Sequence, residues 1–194
     1  MAKNQHAIAD RQVIPAQLIF FIVASLFGYS GDLLPGESKL ILYKLADALF
    51  ITGCIILAMM MARKGWDLPA SGFTVLSIAW GVFFLAKDFR GHEIGNDIFA
   101  SAFYFLLPSM ILIAFYKPFP AIIKILTLIT IFPSLLVLIS MKTGTMLSYD
   151  DIIRKTGYQI IHFVSLVWGV YFYWNYRKEF RMEIHNRQKR KKGS

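Results

Sequence analysis

A single cysteine, Cys54, stands in 194 residues, which excludes an intrachain disulfide framework and a thiolate zinc site. Cys54 lies inside an apolar run and reads as a small buried residue. Charge is scarce too: Asp, Glu, Lys and Arg make up 17% of the chain against 56% hydrophobic residues. The charges gather in short clusters between long apolar stretches, unlike the interspersed charges of a water-facing surface. There is no GxSxG, HExxH, CxxC or Gly-rich phosphate loop, so the common signatures of hydrolase, metalloprotease, thiol redox and nucleotide chemistry are missing. Only one of the four histidines, His162, falls in a long apolar run, which excludes bis-histidine haem ligation within a membrane. The pattern predicts neither a cofactor nor a metal, and a non-enzymatic protein.

What the chain has is apolar length. Six runs approach the roughly twenty residues that a helix needs to cross about 30 Å of hydrocarbon: Val13 to Ser30, Leu40 to Met61, Ala70 to Ala86, Asp97 to Tyr116, Ala121 to Met141 and Gly157 to Trp174. They predict an all-α fold, a polytopic transmembrane helix bundle of about six spans. The organisation follows: a cytoplasmic N-terminus over 1–12, a six-span domain over 13–175 and a basic cytoplasmic tail over 176–194. The first and third runs are short, which leaves five spans as the alternative. A signal peptide is disfavoured for the first run because "SLFGYSG" lacks a small-x-small cleavage site.

Orientation follows from Lys and Arg. With six spans, the side holding both termini collects Lys3, Arg11, Arg63, Lys64, Lys117, Lys124 and eight residues of the tail, fourteen against seven on the other side. Without the tail the count is six against seven, so Arg177, Lys178, Arg181, Arg187, Lys189, Arg190, Lys191 and Lys192 decide the orientation. The same eight are the expected docking residues, for anionic lipid headgroups at about 1 kcal/mol per basic residue near the surface or for a cytoplasmic protein. Direct contact with nucleic acid is not expected, since no recognition fold surrounds them. Trp168, Tyr171, Tyr173, Trp174 and Tyr176 precede them and read as an interfacial aromatic belt. Helix is expected to run on past the membrane, with the final "RQKRKKGS" disordered on its own.

Ionisable residues inside a membrane are costly and mark functional sites by default. Lys44 and Asp47 are three apart on the second span and able to pair, His162 lies in the sixth and Asp97 opens the fourth. In the expected topology all four share the extracytoplasmic half with Tyr104, Tyr158 and Gln159, which makes a ligand or ion vestibule of Lys44, Asp47, Asp97 and His162 conceivable. The plain reading has Lys44 snorkelling with Asp47 as its partner and His162 making one interhelical hydrogen bond.

The fourth and fifth spans each carry a Pro-Ser pair, Pro108–Ser109 and Pro133–Ser134. Proline removes a backbone donor and kinks a helix, while serine and neighbouring helices can satisfy the freed carbonyl. Pro108 and Pro133 are therefore the candidate hinges. Ala24/Gly28, Ser77/Gly81 and Ser165/Gly169 form small-xxx-small pairs suited to close packing within a protomer or between copies. In the longer outer loops, Ser148 and Asp151 resemble a capping box, and His92, Glu93, Asp97, Asp150 and Asp151 could in principle meet at a metal, but nothing fixes that geometry and a solvated polar loop is the favoured reading.

The functional expectation is a non-enzymatic inner-membrane accessory or sensor subunit. It would form homo-oligomers and couple a membrane event to a cytoplasmic partner through its basic tail, in the manner of phage-defence or toxin-immunity components. The alternative is an oligomeric channel or small transporter using the outer-half polar residues.

Overall fold

The computed structural model describes residues 2–89, 92–143 and 152–192. Seven helices form its frame: α1 (Ala2–Ser30), α2 (Gly36–Arg63), α3 (Asp67–Ala86), α4 (Glu93–Ala114), α5 (Ala121–Ile129), α6 (Ile131–Lys142) and α7 (Ile152–Lys192). Short 3-10 turns at Gly31–Leu33 and Lys87–Phe89 end α1 and α3. No strand occurs among the described residues. Five segments are long and apolar enough to cross a membrane: Val13–Leu33, Gly36–Arg63, Asp67–Phe89, Ile94–Ala114 and Ala121–Ser140. The helical fold and several apolar helices thus agree with the sequence. The stretch expected as a sixth span, within α7, carries Gln159, His162 and several Tyr and Trp residues, which lower its hydropathy relative to the other five.

The helices form a closed ring, with α1 against α2, α2 against α3, α3 against α4, α4 against α5 and α6, and α7 returning to pack on α1, α5 and α6. Short turns impose the antiparallel order. Between α2 and α3 the chain closes by a Schellman arrangement: the Trp66 N–H donates to the Met61 carbonyl and the Gly65 N–H to that of Ala62, both at 3.0 Å. Gly65 supplies the left-handed residue this requires, at φ 74°.

The interior is aromatic. Phe50 stacks on Trp80 with centroids 4.2 Å apart, and Phe73 meets Trp168 edge to face at 5.3 Å. Trp168 is fully buried and donates its indole N–H to Thr127 Oγ1 at 3.0 Å. It is therefore a core residue and not part of an interfacial belt, whereas Trp174 is 71% exposed. The outer surface is apolar, with Ile122 and Phe132 each 66% exposed, the inverse of a water-soluble bundle.

The two candidate hinges differ. Pro108 sits inside the continuous α4, whereas a one-residue break at Thr130, three residues before Pro133, divides α5 from α6. Proline at 133 cannot donate to the Ile129 carbonyl and its ring crowds it. The serines do not satisfy the freed carbonyls: Ser109 donates to Leu106 and Ser134 to Thr130, while an N–H at 108 or 133 would have reached Tyr104 or Ile129.

Helix α7 continues through Lys192, so within the full chain Arg187 to Lys192 extend the helix that was expected to run on past the apolar stretch. Elongating an existing helix avoids the nucleation cost, and Arg, Gln and Lys are good helix formers.

Two of the small-xxx-small pairs face each other across α1 and α7. A Cβ at Gly28 would lie 3.3 Å from the His162 ring, and one at Gly169 would lie 2.9 Å from Leu18. The α3 pair behaves otherwise, since nothing lies within 4 Å of a Cβ at Gly81. The close approach of α3 to α4 occurs instead at Gly72, where a Cβ would come 2.8 Å from the Ile113 backbone nitrogen. Gly72→Ala is expected to destabilise the protein by about 1–3 kcal/mol through overpacking, and Gly81→Ala to leave it within about 0.5 kcal/mol, both measured by unfolding in detergent micelles.

Candidate functional site

The antiparallel α2–α3 hairpin turns at Gly65, so residues at similar distances on either side of it meet. Asp47, 18 residues before Gly65, meets Lys87, 22 residues after it, and Lys44 meets Asp88. The local pairing of Lys44 with Asp47 expected from their spacing is replaced by these two interhelical ion pairs. Lys87 and Asp88 leave α3 at the 3-10 turn, where their side chains can reach back across the hairpin.

The two pairs differ in environment. Lys44 and Asp88 are partly exposed, their side chains 27% and 48% accessible, so their attraction is screened by water. Asp47 has no exposed surface. Its carboxylate accepts from the Lys87 ammonium and, at 3.0 Å, from the Tyr158 hydroxyl on α7. The Lys87 ammonium also reaches the Tyr43 carbonyl at 3.5 Å and lies 5.5 Å and 5.4 Å from the ring centres of Tyr43 and Tyr158. Two helices and one turn thus meet at one carboxylate.

His162, one helical turn below Tyr158, forms the inner floor. It is 1% exposed and stands edge-on to Phe50, Trp80 and Tyr158, with centroids 5.4, 6.0 and 4.5 Å away. Neither ring nitrogen has a hydrogen-bond partner among the described residues. The single interhelical hydrogen bond expected of its ring is absent there. Its backbone carbonyl instead accepts from Ser165 at 2.6 Å and from Ser25 of α1 at 3.3 Å.

A second polar layer lies toward the α1–α2 turn. Asp32 accepts from the Tyr43 hydroxyl at 2.6 Å and from Gln159 Nε2 at 3.4 Å, and pairs with Lys39 at 3.3 Å. The Gln159 carbonyl accepts from Tyr29 at 3.0 Å. Beside the inner layer is a cavity of about 40 Å³, bordered by Trp80, Lys87, Ser134, Tyr158 and apolar side chains. Such a volume accommodates at least one water molecule, and Pro133 of the broken helix forms part of its wall.

Of the four expected ligand residues, Asp47 and His162 come together through Tyr158, and Lys44 sits at the rim with Asp88. Asp97 does not join them. It is exposed on α4, seven residues before the exposed Tyr104 and fourteen before the exposed Ile111, an outward stripe. Spacing alone gives little sign of Lys87, Asp88, Tyr43 and Trp80; the hairpin register supplies it for the first two. Among the described residues no group of three His, Cys, Asp or Glu is placed to hold a metal ion. Ser148, Asp150 and Asp151, of the expected capping box and ligand set, lie outside the described residues.

At the other end of the bundle α7 is fixed by a second aromatic group. Tyr116 meets Trp66 and Phe119 edge to face at 5.2 and 5.0 Å, Phe119 meets Tyr171 at 5.2 Å, and the Tyr171 hydroxyl donates to the Pro118 carbonyl. Burial, with smaller effects from Tyr171 and Glu179, pushes the Tyr116 phenol up to about 12. Beyond this collar Arg177, Lys178 and Arg181 are exposed, with Arg177 5.8 Å from the Tyr173 ring centre. Arg187, Lys189, Arg190, Lys191 and Lys192 occupy the last turns of α7, their side chains outside the description.

No protein-family model, curated protein or solved structure matches the chain.

Removing one member of a buried ion pair strands the other. Asp47→Asn and Lys87→Met are each expected to cost about 3–5 kcal/mol. The double variant should lose much less than the sum, because it leaves no buried charge. Unfolding titrations of the four proteins in micelles measure the coupling, and additive losses would contradict a direct pair.

Proposed function

We propose that the protein is a non-enzymatic inner-membrane accessory or sensor subunit. In this reading it crosses the membrane six times with both termini cytoplasmic and associates with copies of itself. It couples an event at the Asp47 cluster to a cytoplasmic protein, or to anionic lipid, through the basic end of α7. The observation that carries the reading is the continuity of α7. One uninterrupted helix holds Tyr158 against the buried carboxylate, with His162 one turn further on, and carries Arg177, Lys178 and Arg181 on the far side of the aromatic collar. The distance from residue 158 to residue 181 along such a helix is about 35 Å, enough to span the hydrocarbon core. A rotation or shift of α7 that rearranges the Tyr158–Asp47 bond is transmitted along the rod to its basic end.

The six-span topology has support in α7 itself. Ile161, Val164, Trp168 and Phe172 face the core while Phe163, Val170 and Trp174 are exposed, so the helix is apolar on both its inner and outer faces over this stretch. Basic residues begin directly after it, as the positive-inside rule asks of a cytoplasmic end. The cavity beside Lys87 favours a second reading, an oligomeric channel or small transporter in which Asp47 borders the pathway. Under that reading Asp47→Asn alters ion flux in liposomes; under the first it does not.

Coupling is tested at the tail. Asp47→Asn, or Tyr158→Phe should the first not fold, is expected to change the rate at which trypsin cleaves after Arg177, Lys178 or Arg181 in nanodiscs by at least about threefold, as expected when the local opening equilibrium shifts. Identical cleavage rates in folded variants and wild type would contradict coupling.

A further inference from the structure

The inner polar site has the composition of an ammonium receptor. Around the Lys87 ammonium stand one carboxylate (Asp47), one backbone carbonyl (Tyr43, 3.5 Å) and the faces of two rings, Tyr43 and Tyr158, at 5.5 and 5.4 Å. The two rings meet edge to face with centroids 5.8 Å apart, so they form two walls of a corner. A ring face within about 6 Å attracts a cation. Small hard cations, by contrast, demand six or more oxygen ligands, which this site does not offer.

The cage and its occupant are built differently. Asp47 and Tyr43 project from α2 and Tyr158 from α7, both long helices, and the Tyr158 hydroxyl donates to one carboxylate oxygen while Lys87 holds the other. Lys87 belongs to the short 3-10 turn after α3 and approaches from the rim with 12% of its side chain exposed. Asp88, its neighbour in the chain, is 48% exposed and already paired with Lys44, so the rim beside Lys87 faces water. The cavity of about 40 Å³ that borders Lys87, Tyr158 and Trp80 gives room for a few additional atoms beside the ammonium position.

We propose that the corner formed by Asp47, Tyr43 and Tyr158 is a binding site for a small alkylammonium ion, with Lys87 as its tethered occupant that the ligand displaces. This rests on the reading of the Asp47 cluster as the sensing site and names the chemical class it senses. Displacement moves the Lys87 side chain outward, to the water at the rim. The new ammonium takes over the contacts to Asp47 and the two rings.

The test uses the full chain in detergent micelles and radiolabelled n-propylammonium, the fragment that Lys87→Ala removes, with ionic strength held constant by NaCl. Lys87→Ala is expected to bind one propylammonium per chain, saturably, with half-saturation at least tenfold below that of wild type. Asp47→Asn in the same background is expected to abolish binding. Absence of saturable binding to folded Lys87→Ala, or binding that Asp47→Asn leaves unchanged, overturns the proposal. Should Lys87→Ala not fold, the wild type decides: saturable binding weakened several-fold by Tyr158→Phe supports the site, and no saturable binding overturns it. Tryptic cleavage of the tail separates this from the broader reading. Amine binding without any change in cleavage leaves the ligand class standing and removes the sensor, whereas a tail that responds to Asp47→Asn in a chain that binds no amine does the reverse.

Discussion

A carboxylate with no exposed surface, inside a bundle whose outer face is itself apolar, has to be met by a positive charge and hydrogen-bond donors or be neutralised. At Asp47 the requirement is met by Lys87 and Tyr158, and much of the architecture follows from where those two partners come from. Lys87 reaches Asp47 only if α2 and α3 pair in one register about the turn at Gly65. Tyr158 reaches it only if α7 returns to the start of the ring. Gly28 on α1 then lets the His162 face of α7 come close enough to close that ring.

Aromatic packing fixes both ends of the same helix. Phe50, Trp80 and the His162 imidazole hold the site from within the bundle. Trp66, Tyr116, Phe119 and Tyr171 hold α7 just before its charges begin. Such rings contribute large buried area with few rotatable bonds, so a helix gripped at both ends moves as a rod. The proposed coupling relies on that stiffness, with the buried polar site toward one end of the helix and the exposed Arg177, Lys178 and Arg181 beyond the other. The break before Pro133 lies between α5 and α6, and Pro133 itself forms part of the cavity wall beside the site.

The all-helical class and the positions of the helices long and apolar enough to cross a membrane were legible in the sequence because a twenty-residue apolar run has few other solutions. The site was legible in part. Asp47 and His162 stood out as ionisable groups in apolar runs, but their partners lay elsewhere in the chain, and spacing along one helix suggested Lys44 for Asp47. Lys87 looked like a loop charge because it follows the last apolar residue of its run; only the hairpin register turns it inward. Asp97 shared the expected depth with Asp47 yet faces outward, since depth does not determine which side of a helix a residue occupies. Trp168 was read with its exposed neighbours as an interfacial residue, although a four-residue periodicity with Val164 and Phe172 would have assigned it to the core. The continuation of helix past the apolar stretch was legible, and its extension through Lys192 follows because the helix that precedes it removes the cost of starting one.

Asp47 and Lys87 form one buried ion pair across the α2–α3 hairpin. Its most direct test is the dipolar coupling between the labelled Asp47 side-chain carboxyl carbon and Lys87 Nζ, measured by solid-state NMR on the wild-type protein in lipid. A coupling that corresponds to direct contact, about 4 Å or less, is the result this account predicts. No measurable coupling, with Lys87 free in water, would contradict it.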